Sequence, residues 1–429
     1  MADPTLSLTM LPVIQRWDCH TCGSCCKEYQ VRLSPQEAAR IESLAGEPGV
    51  ELGGLSPVRK VGWFSPSFFL NNTRDGSCVF LGEGGRCKLH EKHGYESKPL
   101  PCRLFPWVLI PQGAKWTVGV RFACPSAAEN KGRPMPAHTP ELELFAAELV
   151  QREGIERRPD GSWTEPPLFS GRQKATWAQF DILRRTLLDG LEGSASLTET
   201  IIRGLRWLGL MKSVRQVESL DLTAFAEVGA ILWNQSGTES AALANQPLVR
   251  PDALARLLFR QCAAVHTRKD HGPKQGIARR GPISRLGAIL RFSAGSGKVP
   301  RLHGWIPDAS FEDAELPNFE WDPECEEILK RYYSIKISAG QFAGNVHYRM
   351  SVCDGFASLA MTYPIICWIT RLGGKNRSRE TLVKAISIVD DHFGFNRVLG
   401  GLSQRVFLSV LAGSGRLEQL IRWYGPGRP

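Results

Sequence analysis

Beyond residue 140, apolar residues recur at spacings of three and four, the period of a helix with one face turned to a core. The pattern predicts helices over 140–152, 173–191, 197–212, 220–233, 251–266, 353–371, 379–392 and 406–423. Before residue 140 the rhythm is different. Ser34-Pro35-Gln36-Glu37 predicts one helix start, with serine as N-cap, proline at the first helical position and glutamate closing a capping box. Ala38, Ile41 and Leu44 give that helix a short apolar face, and the stretch 46–54 ends it. Aromatic and β-branched residues crowd 58–70 and predict a strand. Residues 107–110 and 115–122 flank a Pro111-Gln112-Gly113 turn and read as a β-hairpin. Gly132, Pro134 and Pro136 mark 131–139 as a linker.

A chain of 429 residues has room for two or three domains. Hydrophobic content of 42% and charged content of 22% are those of a globular protein. The first ten residues lack a basic stretch and a sustained apolar core, so they do not read as a signal peptide. The longest uncharged run, 355–370, contains Pro364 and is shorter than the roughly 20 residues that a bilayer needs. It is expected to be a buried helix, and the chain is read as cytoplasmic. The formal charge of +10 permits nucleic acid, an anionic membrane or an acidic protein as partner. Residues 268–301 hold nine Lys/Arg and one acid, whereas 308–327 hold nine acids and no Lys or Arg. The plain expectation is an exposed connector and a solvated acidic segment. The sharper one is that 268–301 binds nucleic acid or an acidic partner.

The cysteines change the picture most. Cys19, Cys22, Cys25 and Cys26 form a Cys-x-x-Cys-x-x-Cys-Cys run, and Cys78, Cys87, Cys102 and Cys124 follow. Eight of the twelve cysteines thus fall in the first 124 residues, which in a reducing compartment points to metal or redox chemistry rather than a disulfide framework. Cysteines at i, i+3 and i+6 can wrap one corner of a four-iron cube, with a distant Cys-Pro as fourth ligand. Cys19, Cys22 and Cys25 supply the run, and Cys124-Pro125 or Cys102 the distant thiol. Gly23 allows close backbone approach or a positive φ. Zinc, the rival, wants four N or S ligands in a tetrahedron, commonly from two Cys-x-x-Cys knuckles. Only one such run exists here, so an iron–sulfur cluster is favoured over zinc. Cys25 and Cys26 are adjacent and are expected to point in different directions, one serving a second site or packing as a thiol. Eight thiols suffice for two centres, and His20, His90 and His93 are substitute ligands, although each is more often an ordinary surface histidine. Glycines 82, 84 and 85 are expected to turn the chain so that Cys78 meets Cys87, and the hairpin to bring Cys102 beside Cys124.

Other chemistry is absent. The radical S-adenosylmethionine spacing Cys-x-x-x-Cys-x-x-Cys does not occur. Gly295-Ser-Gly-Lys298 is preceded by Phe292 and followed by Val299, so it is no phosphate loop, and His90-Glu-Lys-His93 is not a zinc-protease motif. No Gly-x-Gly-x-x-Gly follows a clear strand, and no Gly-x-Ser-x-Gly elbow exists. Asp390-Asp391-His392 is read as a helix end rather than a catalytic pair.

Cys19-x-x-Cys22-Gly23-x-Cys25-Cys26, Cys78-Val-Phe-Leu, Cys87-Lys-Leu-His and Lys98-Pro99-Leu-Pro-Cys102-Arg103-Leu-Phe-Pro106 together resemble the YkgJ-type cysteine-cluster proteins, a family of zinc- or iron-chelating domains. The resemblance covers 17–126 and departs at Lys98, where the family usually has arginine. The family includes flagellin lysine N-methylases, so the resemblance implies S-adenosylmethionine and a protein substrate. No catalytic residue aligns in the helical region. The alternative is a non-catalytic zinc- or iron-binding or redox-sensing module with a partner- or nucleic-acid-binding helical domain. The fold class expected is α+β: a small cysteine-rich, metal-binding N-terminal domain (1–130) with a β-hairpin, plus a mainly α-helical C-terminal region (140–429).

Overall fold

The computed structural model describes residue 8 and residues 14–426, except 63, 195, 268–280, 302, 318–319, 321 and 374–377. Its front consists of short elements: β1 (Arg16–Trp17), α1 (Ser24–Glu28), β2 (Arg32–Leu33), α2 (Pro35–Ala45), β3 (Val58–Val61), β4 (Ser67–Leu70), α3 (Lys88–His93), α4 (Leu100–Leu104), β5 (Trp107–Gln112), β6 (Lys115–Val120), α5 (Pro125–Ala128) and β7 (Arg133–Pro134). Longer helices follow: α6 (Thr139–Glu153), α7 (Trp177–Glu192), α8 (Leu197–Ser213), α9 (Leu222–Ala244), α10 (Ala253–Thr267), α11 (Gly281–Ala294), the short α12 (Phe311–Ala314), α13 (Pro323–Ser338), α14 (Val352–Leu372), α15 (Arg379–His392), α16 (Leu402–Gly413) and α17 (Arg416–Tyr424). The α+β class with a cysteine-rich, hairpin-bearing front is as expected.

Local sequence accounts for the front elements. The Glu37 amide donates to Ser34 Oγ (3.1 Å) and the Ser34 amide donates to Glu37 Oε2 (2.8 Å), so the capping box starts α2. β5 and β6 pair antiparallel from Trp107↔Val120 to Gln112↔Lys115, and Gly113 turns at φ 53°. β2, β4 and β3 form a second antiparallel sheet in that order.

Two apolar cores result. The smaller gathers Leu33, Ala38, Ile41, Val50, Val58, Leu70, Val79, Phe80 and Leu89, with Cys78, Cys87 and Cys102 packed against it. The larger takes in the hairpin (Trp107, Trp116, Val120, Phe122), Trp17 and Cys124 together with the helices. Packing therefore does not divide at 131–139. That stretch, expected as a linker, folds back: Arg133 and Pro134 pair with β1, Arg133 bridges Asp18 at 2.9 Å, and buried His138 bonds the Trp17 carbonyl at 2.8 Å. Gly132, at φ 114°, lets the chain run so close to Trp17 and Asp18 that a Cβ would collide.

The helical half differs from expectation in four further places. α9 runs eleven residues past 233, because Gly237 leaves room for Arg203 of α8, and Ser236 and Ser240 bury their small side chains. The last predicted helix breaks into α16 and α17 at Gly415, φ 71°. In the basic stretch, 268–280 lie outside the described residues, but 281–294 form α11, held by buried Ala288 and Phe292, so this part is no connector. The acidic stretch is not simply solvated. Glu315 is buried against Arg260 at 3.0 Å, and Glu324 and Glu326 sit in the first turn of α13, where the helix dipole favours carboxylates. α14 is long and apolar enough by length and composition to cross a membrane, and 83% of its apolar window is buried inside the fold, as expected for 355–370.

Among the contacts that tie the front to the helices are those made by a buried charge pair between two of the helices. Lys336 (α13) and Asp390 (α15), both fully buried, meet at 2.5 Å. Lys336 also donates to the Val120 carbonyl (3.0 Å) and to Gln341 (3.3 Å). Burial pulls the Lys336 pKa down, and Asp390 opposes that pull. Removing one partner leaves the other charge uncompensated. Lys336→Met is therefore expected to cost about 3–5 kcal/mol, read as a lower unfolding midpoint in denaturant. A loss well under 1 kcal/mol would show that the pair does not hold the two halves together.

Candidate metal centre

Four stretches of chain deliver the thiols. After β1 the backbone turns over at Thr21 (φ 51°) and Gly23 (φ 69°) and enters α1, which carries Cys25 and Cys26. The Cys78 amide donates to the Cys26 carbonyl at 2.7 Å, tying the second stretch to the first. Glycines 84 and 85 then turn at positive φ, Leu81 bridges Cys87, and the Lys88 amide donates to Phe80 at 2.8 Å. A Cβ on Gly85 would run into the Thr21 carbonyl, so this turn lies directly on the cysteine loop. Cys102 sits on α4, anchored by Arg103, which is buried between Glu96 (2.8 Å) and Glu148 (2.6 Å). Cys124 is the N-cap residue of α5, with Pro125 at the first helical position.

These stretches enclose a cavity of about 260 Å³ at the seam between the two cores, lined by Cys19, Cys22, Cys25, Cys26, Cys87, Cys102 and Cys124. The sequence-predicted thiols are thus brought together with one exception: Cys78 is not part of the lining, although it lies close enough to Cys25 and Cys87 to feel their charge. Cys25 and Cys26 do not diverge as expected. Their sulfurs are 3.9 Å apart, because consecutive residues at the start of α1 both face the cavity. His20 and His90 line the cavity, whereas His93 faces Glu47 at 3.7 Å. All twelve cysteines are free thiols, with Cys19 and Cys22 exposed. Among the described residues, no three His, Cys, Asp or Glu side chains converge on a single ion-sized point.

The electrostatics describe a site short of positive charge. Burial pushes Cys78 up to about 12 and Cys124 up to about 11. Cys25 is raised by its hydrogen bond with Cys26 and then by burial, and Cys102 by burial with Cys78, Cys25 and Cys87 adding to it. Lys98, on the cavity wall, opposes the rise at Cys25 and Cys102. The buried Trp17 indole N–H is aimed at the Cys124 sulfur, where it favours the thiolate. Thiols that raise one another's pKa, beside an indole N–H and a lysine that favour thiolate, fit a bound metal centre, since a cation deprotonates coordinating thiols outright. The donor set therefore suits zinc or iron.

Two contributors were not singled out as functional from sequence. Trp17 carries no local signal. Arg121 sits behind the site, ion-paired to Asp391 at 2.9 Å, with its guanidinium 4.8 Å from the Tyr29 ring, 5.6 Å from Phe105 and 3.9 Å from Phe395. Phe105 is itself on the cavity wall. The Asp390-Asp391-His392 triplet is structural: Asp390 pairs with Lys336, Asp391 with Arg121, and His392 Nδ1 with Asn396 Nδ2 at 3.0 Å.

Residues 18–125 match the family model described as "CxxCxxCC: Putative zinc- or iron-chelating domain". The helical region lies outside that match. Comparison with curated proteins and with solved structures gave no match.

Because metal must displace protons from thiols whose pKa lies above the ordinary range, affinity should fall as pH falls. The slope should be about tenfold per pH unit for each thiol proton released, and a competition titration with a chelator over pH 6–8 (about two units) reads it. Lys98→Met removes the cation that lowers Cys25 and Cys102 and should weaken metal binding, while Lys98→Arg should retain it. Equal affinities for all three proteins would remove Lys98 from the site.

Proposed function

With residues 18–125 a cysteine-cluster domain of this zinc- or iron-chelating family, we propose that they hold an iron–sulfur cluster of the 4Fe–4S type. The observation that carries the reading is the breadth of the thiol ring. Zinc–sulfur bonds of about 2.3 Å place the sulfurs of a tetrahedral site roughly 3.8 Å apart. Cys25 and Cys26 stand at about that separation, but seven thiols surround a cavity of about 260 Å³. A polynuclear body fills such a space better than one ion. Cys19, Cys22 and Cys25 are the proposed loop ligands, and Cys124, followed by proline, the distant one. Cys26, Cys87 and Cys102 remain on the wall for a second centre, with Cys78 behind them. Bound there, the cluster would supply one-electron or Lewis-acid chemistry. The chain's own part is to bury one side of it between the two cores and leave the Cys19–Cys22 edge at the surface.

The enzymatic form of the proposal is methyl transfer from S-adenosylmethionine to a protein lysine, which the YkgJ-type resemblance implies. The alternative, a metal-binding or redox-sensing module whose helices receive a partner, shares the same centre. Retained S-adenosylmethionine on the loaded protein separates the two.

Anaerobic purification followed by iron, zinc and acid-labile sulfide analysis tests the centre. Iron and sulfide in similar amounts are expected. Cys22→Ser should lose them and destabilise the domain, since structural metal ligation contributes folding free energy on the order of 10 kcal/mol. Cys262→Ser, on α10 and remote from the cavity, should change neither. Stoichiometric zinc without sulfide would overturn the cluster reading and leave the zinc one.

A further inference from the structure

α11 has two apolar faces. Ala288 and Phe292 are buried, with the Phe292 ring 5.3 Å from Phe311, and Arg260 fixes the helix end by donating to the Phe292 carbonyl at 2.8 Å. On the far side, Ile283, Leu286, Ile289 and Leu290 are between 51% and 87% exposed. Spacings of three and four put them on one stripe. A second helix repeats the arrangement. α16 buries Leu408 and Leu411 and exposes Leu402, Val406 and Val410, between 37% and 79%, four residues apart. Both helices pack on α10.

The sequence around these ridges is basic: 281–307 holds four Lys/Arg and no acid, and 392–417 holds three arginines and no acid, of which Arg416 pairs with Asp252 at 2.8 Å. Neither helix, at 14 and 12 residues, reaches the roughly 20 needed to span a bilayer.

The geometry points to a peripheral membrane-binding surface: α11, with α16 as a second contact, lies on anionic phospholipid, aliphatic ridges in the headgroup layer and arginines on the phosphates. Apolar ridges flanked by Lys/Arg suit that layer. Nucleic acid is the poorer fit. Aliphatic side chains gain nothing from a phosphate backbone, and neither helix exposes an aromatic ring of the kind on which bases stack.

The test is co-sedimentation of the full-length, metal-loaded protein with vesicles of equimolar phosphatidylserine and phosphatidylcholine, against pure phosphatidylcholine. Binding to the first, little to the second, and loss at high salt are expected. Leu290→Asp and Val406→Asp should each weaken it by about tenfold or more, since an inserted aliphatic side chain is worth at least that, with metal content unchanged. Should either variant misfold, Arg291→Glu and Ile283→Ser replace it. Equal binding to both vesicles, no binding, or variants that bind like wild type would overturn the proposal. So would a dimer that Leu290→Asp dissolves, or duplex DNA bound in place of vesicles.

Discussion

The fold depends on a seam that protein atoms alone do not close well. Two apolar cores meet along a cavity lined by seven cysteines, and burial makes Cys102 and Cys124 among them costly to ionise. Neighbouring thiols add to the rise at Cys25, Cys102 and Cys124, while Lys98, the Trp17 N–H and nearby backbone amides push the other way. A metal centre resolves that conflict by supplying the missing positive charge and by fastening one core to the other. Cys124 belongs to the larger core, while Cys78, Cys87 and Cys102 pack on the smaller.

Behind the seam the helices hold the cavity wall in position. Arg121 follows directly on β6, and its guanidinium is surrounded by Tyr29, Phe105 and Phe395 while Asp391 neutralises it. Two residues on, the Ala123 amide donates to Asp390 at 3.2 Å, and Cys124 follows. The last thiol is therefore placed by α15, not by the cysteine-rich front alone. A compact apolar layer backs a charged centre, and that layer also sets how far water reaches the metal.

What could be read from sequence was what local chemistry decides. The α2 capping box, the hairpin turn at Gly113, the glycines between Cys78 and Cys87 and the cysteine run itself are determined within a few residues, and each was legible. Elements whose stability comes from distant partners were not. The segment 131–139 carries Gly and Pro like a linker, yet Asp18, Trp17 and His138 fix it through contacts more than a hundred residues apart. α13 begins with acids that suggested a solvated stretch, and Lys336, polar in sequence, is buried because Asp390 waits for it on another helix. Adjacency predicts that Cys25 and Cys26 diverge, whereas the start of α1 turns both toward one cavity. At the site the ring of thiols was legible, but the exclusion of Cys78 from its lining and the part played by Trp17 were set by tertiary packing.

The bond from Ala123 to Asp390 spans 267 residues, and this separation has a bearing on biosynthesis. At roughly 5–20 residues per second, α15 leaves the ribosome between about 13 and 50 seconds after Cys124. Through that interval all eight front cysteines are already made, but the support beneath the last of them is not. A nascent chain would offer its thiols to stray metal or oxidant long before it offers a finished cavity. The contact that backs Cys124 thus forms only after synthesis of the helical half.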